Sequence, residues 1–136
     1  MSKNTQHKNN SSPLLILALD FGGSSTKGIY STSIQNQTAS LVMEPEVVKI
    51  SLDSVASSIL GVTEPENAAW VNYMGETFAV GYLAKSKYYG NQGLRELKYE
   101  RAIAKTLAFV WAISEKLQLG KKIRLALICL LPPGEF

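Results

Sequence analysis

The chain has 136 residues, 46% of them hydrophobic and 18% charged, with 14 basic against 11 acidic residues for a net charge of +3. That length supports one compact core and excludes two full domains. Ten glycines and five prolines are ordinary usage, which excludes collagen-like and broadly disordered classes. The single cysteine, Cys129, excludes an internal disulfide and a cysteine-rich metal site.

Met1 to Ser12 is rich in Ser, Asn, Gln and Lys, so residues 1–12 are predicted to be a disordered leader. It lacks a signal-peptide pattern. No apolar run in the chain approaches the roughly 20 residues of a membrane helix. A soluble, cytoplasmic protein without a membrane partner is expected.

Ordered chain is predicted from residue 13 to residue 136. Leu14 to Asp20 is an apolar run expected to be a central strand buried on both faces. Phe21 to Ser25 has turn composition, and Lys27 to Ser33 reads as the returning strand of a hairpin. After a polar break at Gln35 to Gln37, Ala39 to Ile50 reads as a third strand, irregular or at an edge because of Pro45.

A small insert is expected over about 51–93. Within it, Leu52 to Leu60 is a candidate short helix. Trp70 to Met74 and Thr77 to Val80 read as a hairpin turning at Gly75-Glu76. Gly81 closes that hairpin ahead of a tyrosine-rich loop in which Tyr82, Tyr88 and Tyr89 anchor a solvated segment or meet a partner.

The clearest helix runs from about Leu94 to Leu119 and ends at Gly120 in a left-handed cap. Tyr99, Ile103, Thr106, Val110, Ile113 and Leu117 recur at spacings of 4, 3, 4, 3 and 4, which marks them as the core-facing stripe and puts Lys98, Arg101, Lys105 and Glu115 on the polar side. Phe109 and Trp111 widen the stripe and are expected to leave an apolar surface open to self-association. Ile123 to Leu131 then reads as a buried parallel strand, with Cys129 packed in the core and Pro132-Pro133-Gly134 as its stop.

Three antiparallel strands, an insert, a crossover helix and a last strand parallel to the first predict an α/β fold with a mixed sheet. Charge divides along the chain. Residues 13–82 hold two lysines and seven acids, residues 83–124 ten bases and three acids. The second stretch reads as a solvated helix face with its flanks, or as a polyanion surface.

The stretch that carries chemistry is Asp20-Phe21-Gly22-Gly23-Ser24-Ser25-Thr26-Lys27-Gly28. A carboxylate closing a strand, followed by small residues whose backbone N–H groups can approach an oxyanion, suits a magnesium-bound phosphate. Asp20 would hold the ion through water, since magnesium sheds its hydration reluctantly. A Walker A loop is excluded because Lys27 leads into a strand instead of Ser or Thr and a helix. A dinucleotide fingerprint fails for the same reason. Asp20-Phe21-Gly22 imitates the kinase triplet without a preceding catalytic loop. An ordinary Gly-Ser hairpin capped by an aspartate is the plain alternative.

At these residues the chain resembles the actin, sugar-kinase and heat-shock-chaperone ATPase superfamily. There the first phosphate hairpin reads Asp, any residue, Gly, a small-residue turn and, in the actin branch, a lysine seven positions after the aspartate. Trp70 to Ala84 and Leu130 to Phe136 resemble, more narrowly, the N-terminal region of bacterial ParM-type plasmid-segregation actins. The resemblance covers about residues 14–136.

It implies an actin and RNase H-like fold, here truncated, and an ATP-fuelled filament protein that positions DNA through an adaptor. Gly22, Gly23, Ser24, Ser25, Thr26 and Lys27 would hold the phosphates of ATP or GTP, and Asp20 the magnesium. The second phosphate hairpin, the adenosine segment and the water-orienting Glu or Gln of such proteins have no counterpart. No catalytic residue is therefore assigned, and the chain alone is expected not to hydrolyse ATP. Self-association or a separate C-terminal half would complete it. A non-catalytic interaction module, and a sugar-kinase or chaperone fragment, are the alternative readings.

Overall fold

A computed structural model describes residues 12–51, 53, 68–87 and 98–130. The predicted leader up to residue 11, nearly all of the candidate helix Leu52–Leu60, Tyr88 and Tyr89, and the closing Pro132-Pro133-Gly134 lie outside the described residues.

Two sheets share one core. The first has the order β3-β2-β1-β7, from β1 (Leu14–Phe21), β2 (Thr26–Thr32), β3 (Ala39–Met43) and β7 (Arg124–Leu130). β2 runs antiparallel to β1 and β3, and β7 runs parallel to β1, which is the mixed sheet the element order predicts. The second has the order β4-β6-β5, from β4 (Val47–Ile50), β5 (Ala68–Tyr73) and β6 (Glu76–Gly81), all antiparallel. Helix α1 (Tyr82–Lys87) follows β6, and α2 (Lys98–Leu117) precedes β7.

The expected third strand is two strands. Ala39–Met43 pairs with β2, the chain turns at Glu44 to Glu46, and Val47–Ile50 pairs with β6 in the other sheet. Pro45, which has no N–H to give to a ladder, sits at this switch between sheets. The second sheet therefore begins ahead of the predicted insert.

β1 is buried on one face instead of two. Leu15, Leu17 and Leu19 are fully buried, whereas Ile16 is 42% exposed and Asp20 is exposed. Burying each leucine stabilises the fold by roughly 1.5–3 kcal/mol. On β2, Thr26, Gly28, Tyr30 and Thr32 turn the same way and Lys27 and Ile29 the other. β7, expected to be a buried strand, is exposed at all seven residues, none of which joins the core between the sheets and α2. Cys129 is accordingly exposed and not a core residue, and desolvation still holds its thiol pKa above the ordinary value.

The buried face of α2 is rotated from the predicted stripe. Ala104, Ala108, Phe109, Ala112 and Ile113 are buried, while Ile103, Thr106 and Val110 are half-buried. Small alanines let the helix approach closely, and the core they join contains Leu15, Leu17 and Leu19 of the first sheet and Ala69, Val71 and Val80 of the second. Phe109 is fully buried, so only Trp111, 38% exposed, extends the apolar surface outward.

Both tight ends differ from expectation in their residues. The second hairpin turns at Met74-Gly75, with φ of 50° and 78°, the pair of positive values a type I′ turn requires. The helix cap is formed by Gln118, φ 53°: Leu119 N–H donates to Ser114 O at 3.0 Å and Gln118 N–H to Glu115 O at 3.4 Å, the Schellman pattern. Gly120, also at positive φ, lies two residues further on. The tyrosine-rich loop begins as α1, whose Leu83 and Ala84 are buried with Ala79 against Val48, Ile50 and Trp70.

Candidate functional site

Strand geometry fixes the relation between the charged residues at the hairpin tip. Asp20 pairs with Lys27 in the β1–β2 register, and Phe21 with Thr26, leaving Gly22 to Ser25 as the connection. Successive residues of a strand face opposite ways. Asp20 and Lys27 therefore share the face turned away from α2, and both are exposed. Around them on that face are Ile29, 56% exposed, and Val42, 53% exposed, with Leu130 beside Asp20 in the parallel register.

The turn needs its first glycine. A Cβ on Gly22 would stand 2.9 Å from the Ser25 carbonyl oxygen, whereas one on Gly23 would meet nothing within 4 Å. The connection closes on itself at Gly22 and presents Gly23 and Ser24 outward, where Ser24 is exposed and Ser25 half-buried. A small-residue turn flanked by an exposed cation and an exposed carboxylate leaves room for a magnesium-bound phosphate. Among the described residues there is no group of three or more His, Cys, Asp or Glu able to hold a metal. An ion at Asp20 would thus take its remaining ligands from water and phosphate.

Thr26 separates from the other predicted site residues. It is fully buried on the α2 side, and its hydroxyl has no hydrogen-bond partner. Gly28 has a packing role: a Cβ there would stand 2.6 Å from a Phe109 ring carbon and 3.1 Å from Leu19.

One residue at this end was assigned by sequence to the wrong side. Lys105 lies on the buried side of α2, with its Nζ 6.0 Å from the centroid of the Phe21 ring. Burial, with the nearby Arg101 charge, lowers its pKa from the ordinary lysine value, while Glu46 acts in the opposite direction. The signal available in sequence was the ladder Ala104, Ala108 and Ala112, which brackets Lys105 and Phe109. The basic stretch is also divided in space. Lys85 pairs with Glu44 at 3.2 Å, Arg124 Nε–H donates to the Ser12 carbonyl at 2.9 Å, and Lys105 turns inward.

No protein-family model and no curated protein matches the chain. Among solved structures it is similar to AlfA from the B. subtilis plasmid pLS32, determined as a filament, with a TM-score of 0.56 at 19% identity. The fold is actin-like.

The match covers 88% of this chain and 41% of the AlfA chain, so the chain spans less than half the length of that relative in structure. The glycine turn, α2 and β7 of this actin-like fold lie within the described residues. Among those residues no helix is long and apolar enough to cross a membrane.

Proposed function

We propose that this chain is the N-terminal part of an actin-like filament ATPase of the ParM type, serving plasmid or DNA segregation. In this reading the β1–β2 connection is its first phosphate-binding hairpin. The observation that carries the reading is the pairing of Asp20 with Lys27 on one open face beside a turn that only glycine fits at position 22. The Gly22 to Ser25 amides would receive the β- and γ-phosphates of ATP or GTP, Lys27 would neutralise them, and Asp20 would order the water shell of a magnesium ion. Magnesium bound there supplies shielding of the phosphate charge. Catalysis in such a site is mostly electrostatic positioning.

The likeness to AlfA, solved as a filament of a plasmid-borne protein, supports self-association and a segregation role; in this reading DNA would be reached through an adaptor. The Ile16, Ile29, Val42, Ile128 and Leu130 side chains, each over 40% exposed, give this chain an apolar face suited to association with a second copy or with a C-terminal half.

Calorimetric titration with magnesium and ATP tests the reading. Heat of binding in the wild-type chain that disappears in Asp20→Ala supports it. Equal binding in both, or none in the wild type at millimolar nucleotide, overturns it and leaves a non-catalytic interaction module.

A further inference from the structure

Lys105 stands with its Nζ 6.0 Å from the ring of Phe21, the residue that leads into the turn. Along α2, Phe109 packs under Gly28 and Leu19, and Lys105, one helical turn earlier, reaches Phe21. Phe21 closes β1 between Asp20 and Gly22. Because strand side chains alternate, its ring points to α2 while the Asp20 carboxylate points to the opposite face. Whatever pins the ring therefore also sets the direction of the carboxylate.

A second charge acts from the link between the sheets. Glu46, in the link that carries the chain from β3 to β4, acts on Lys105 by charge, and one of its carboxylate oxygens, Oε2, is buried with no hydrogen-bond partner. The ammonium stands 6.0 Å from the centroid of an aromatic ring, whose quadrupole attracts a cation, while the Arg101 charge opposes its own and the Glu46 carboxylate favours it. A lysine packed only for its hydrocarbon stem would carry its ammonium out to water.

We propose that Lys105 is a positioning residue for the glycine turn, holding the Phe21 ring so that Asp20 and the Gly22 and Gly23 amides keep their direction. The role of that turn in binding phosphate rests on the function proposed above; the hold on Phe21 does not.

The test uses the full chain, labelled with carbon-13 and titrated from pH 8 to 11.5 with carbon detection, following the Phe21 ring and the Gly22 and Gly23 Cα resonances. The charged groups facing Lys105 are Arg101 and Glu46. Lys27, near the turn, is controlled by Lys27→Met. Expected is an inflection at the Phe21 and glycine carbons below the free-lysine value of about 10.4, kept in Lys27→Met. It should vanish in Lys105→Met together with a displacement of those resonances, whereas Lys105→Arg keeps their neutral-pH positions.

A wild-type chain without the inflection overturns the proposal, as does a folded Lys105→Met whose turn resonances stay in place. Should Lys105→Met fail to fold, the wild-type and Lys27→Met titrations decide alone. With magnesium and ATP, Lys105→Met should bind about three- to tenfold more weakly. Absence of wild-type nucleotide binding alongside a persistent inflection removes the phosphate reading and leaves the hold of Lys105 on the turn.

Discussion

Asp20 and Lys27 stand opposite each other in the β1–β2 ladder, on the sheet face that α2 leaves open. Directly opposed positions place their Cβ atoms about 4.5–5.5 Å apart, so one bound ion-phosphate group can meet both. The two make separable contributions. Lys27→Met should weaken magnesium-ATP binding about ten- to a hundredfold, the worth of a charge-assisted hydrogen bond, and reduce its salt dependence. Asp20→Asn should instead remove the advantage of magnesium over magnesium-free ATP. Both residues are exposed, so unfolding free energies should stay within about 0.5 kcal/mol of wild type. Calorimetry with and without EDTA reads the difference; the same magnesium dependence in Asp20→Asn as in wild type would remove Asp20 from the ion's shell.

Gly28 tests how the helix is seated. A methyl group there meets the Phe109 ring at 2.6 Å and Leu19 at 3.1 Å, and Phe109 is fully buried. Gly28→Ala is expected to destabilise the chain by about 1–3 kcal/mol, the usual cost of overpacking. Shortening the ring in Gly28→Ala/Phe109→Leu should cost less than the two single changes together, because one relieves the crowding of the other. Urea unfolding of the four chains measures this, and strictly additive costs would mean that helix and strand do not touch here.

Much of this architecture is legible in sequence where a local rule and the fold agree. The alternation of β2, the Gly-Ser turn and the parallel return of β7 follow from apolar periodicity and turn chemistry. Tertiary packing decides the rest. An unbroken apolar run at Leu14–Asp20 looks the same whether one face is covered or two, and only the position of α2 distinguishes them. The helix stripe was drawn through the large side chains Ile103, Val110 and Leu117, whereas close packing selected Ala104, Ala108 and Ala112. That rotation turned Lys105 inward and took it out of sight as a neighbour of the turn. At the turn, the opposition of Asp20 and Lys27 is legible from their spacing, while the burial of Thr26 follows from its place on the alternate strand face, which only the register and the position of α2 decide.

Gln118 ends α2 in a conformation that suits glycine. Its φ of 53° lies in the left-handed region, and the two Schellman hydrogen bonds run through it and Leu119. Leu119, 8% exposed, anchors the cap. Gln118→Gly removes the steric cost of a Cβ at this φ, on the order of 1 kcal/mol, partly offset by the greater freedom of the unfolded chain. Thermal unfolding should show a rise of a few degrees, whereas Leu119→Ala lowers the midpoint. A fall in Gln118→Gly would mean that the glutamine side chain contributes a contact that outweighs its backbone strain.

Two buried threonines on the same face of β2 should respond to the same substitution with opposite signs. Thr26 is fully buried and its hydroxyl has no partner, whereas the Thr32 hydroxyl, in a residue 6% exposed, accepts the Gln35 N–H at 3.1 Å. An unpaired buried hydroxyl costs about 1–3 kcal/mol of desolvation, and valine keeps the branched shape while favouring a strand. Thr26→Val is therefore expected to stabilise the chain by about 1 kcal/mol. Thr32→Val removes the acceptor of the Gln35 N–H and is expected to destabilise by about 0.5–1 kcal/mol, the net worth of one such hydrogen bond. With both changes on one strand, propensity largely cancels from the comparison, so the difference between the two denaturation midpoints reports the relief of the unpaired hydroxyl at Thr26 together with the loss of the hydrogen bond at Thr32. If Thr26→Val loses stability, the hydroxyl has a water partner beneath the turn, and the inner side of the hairpin is polar.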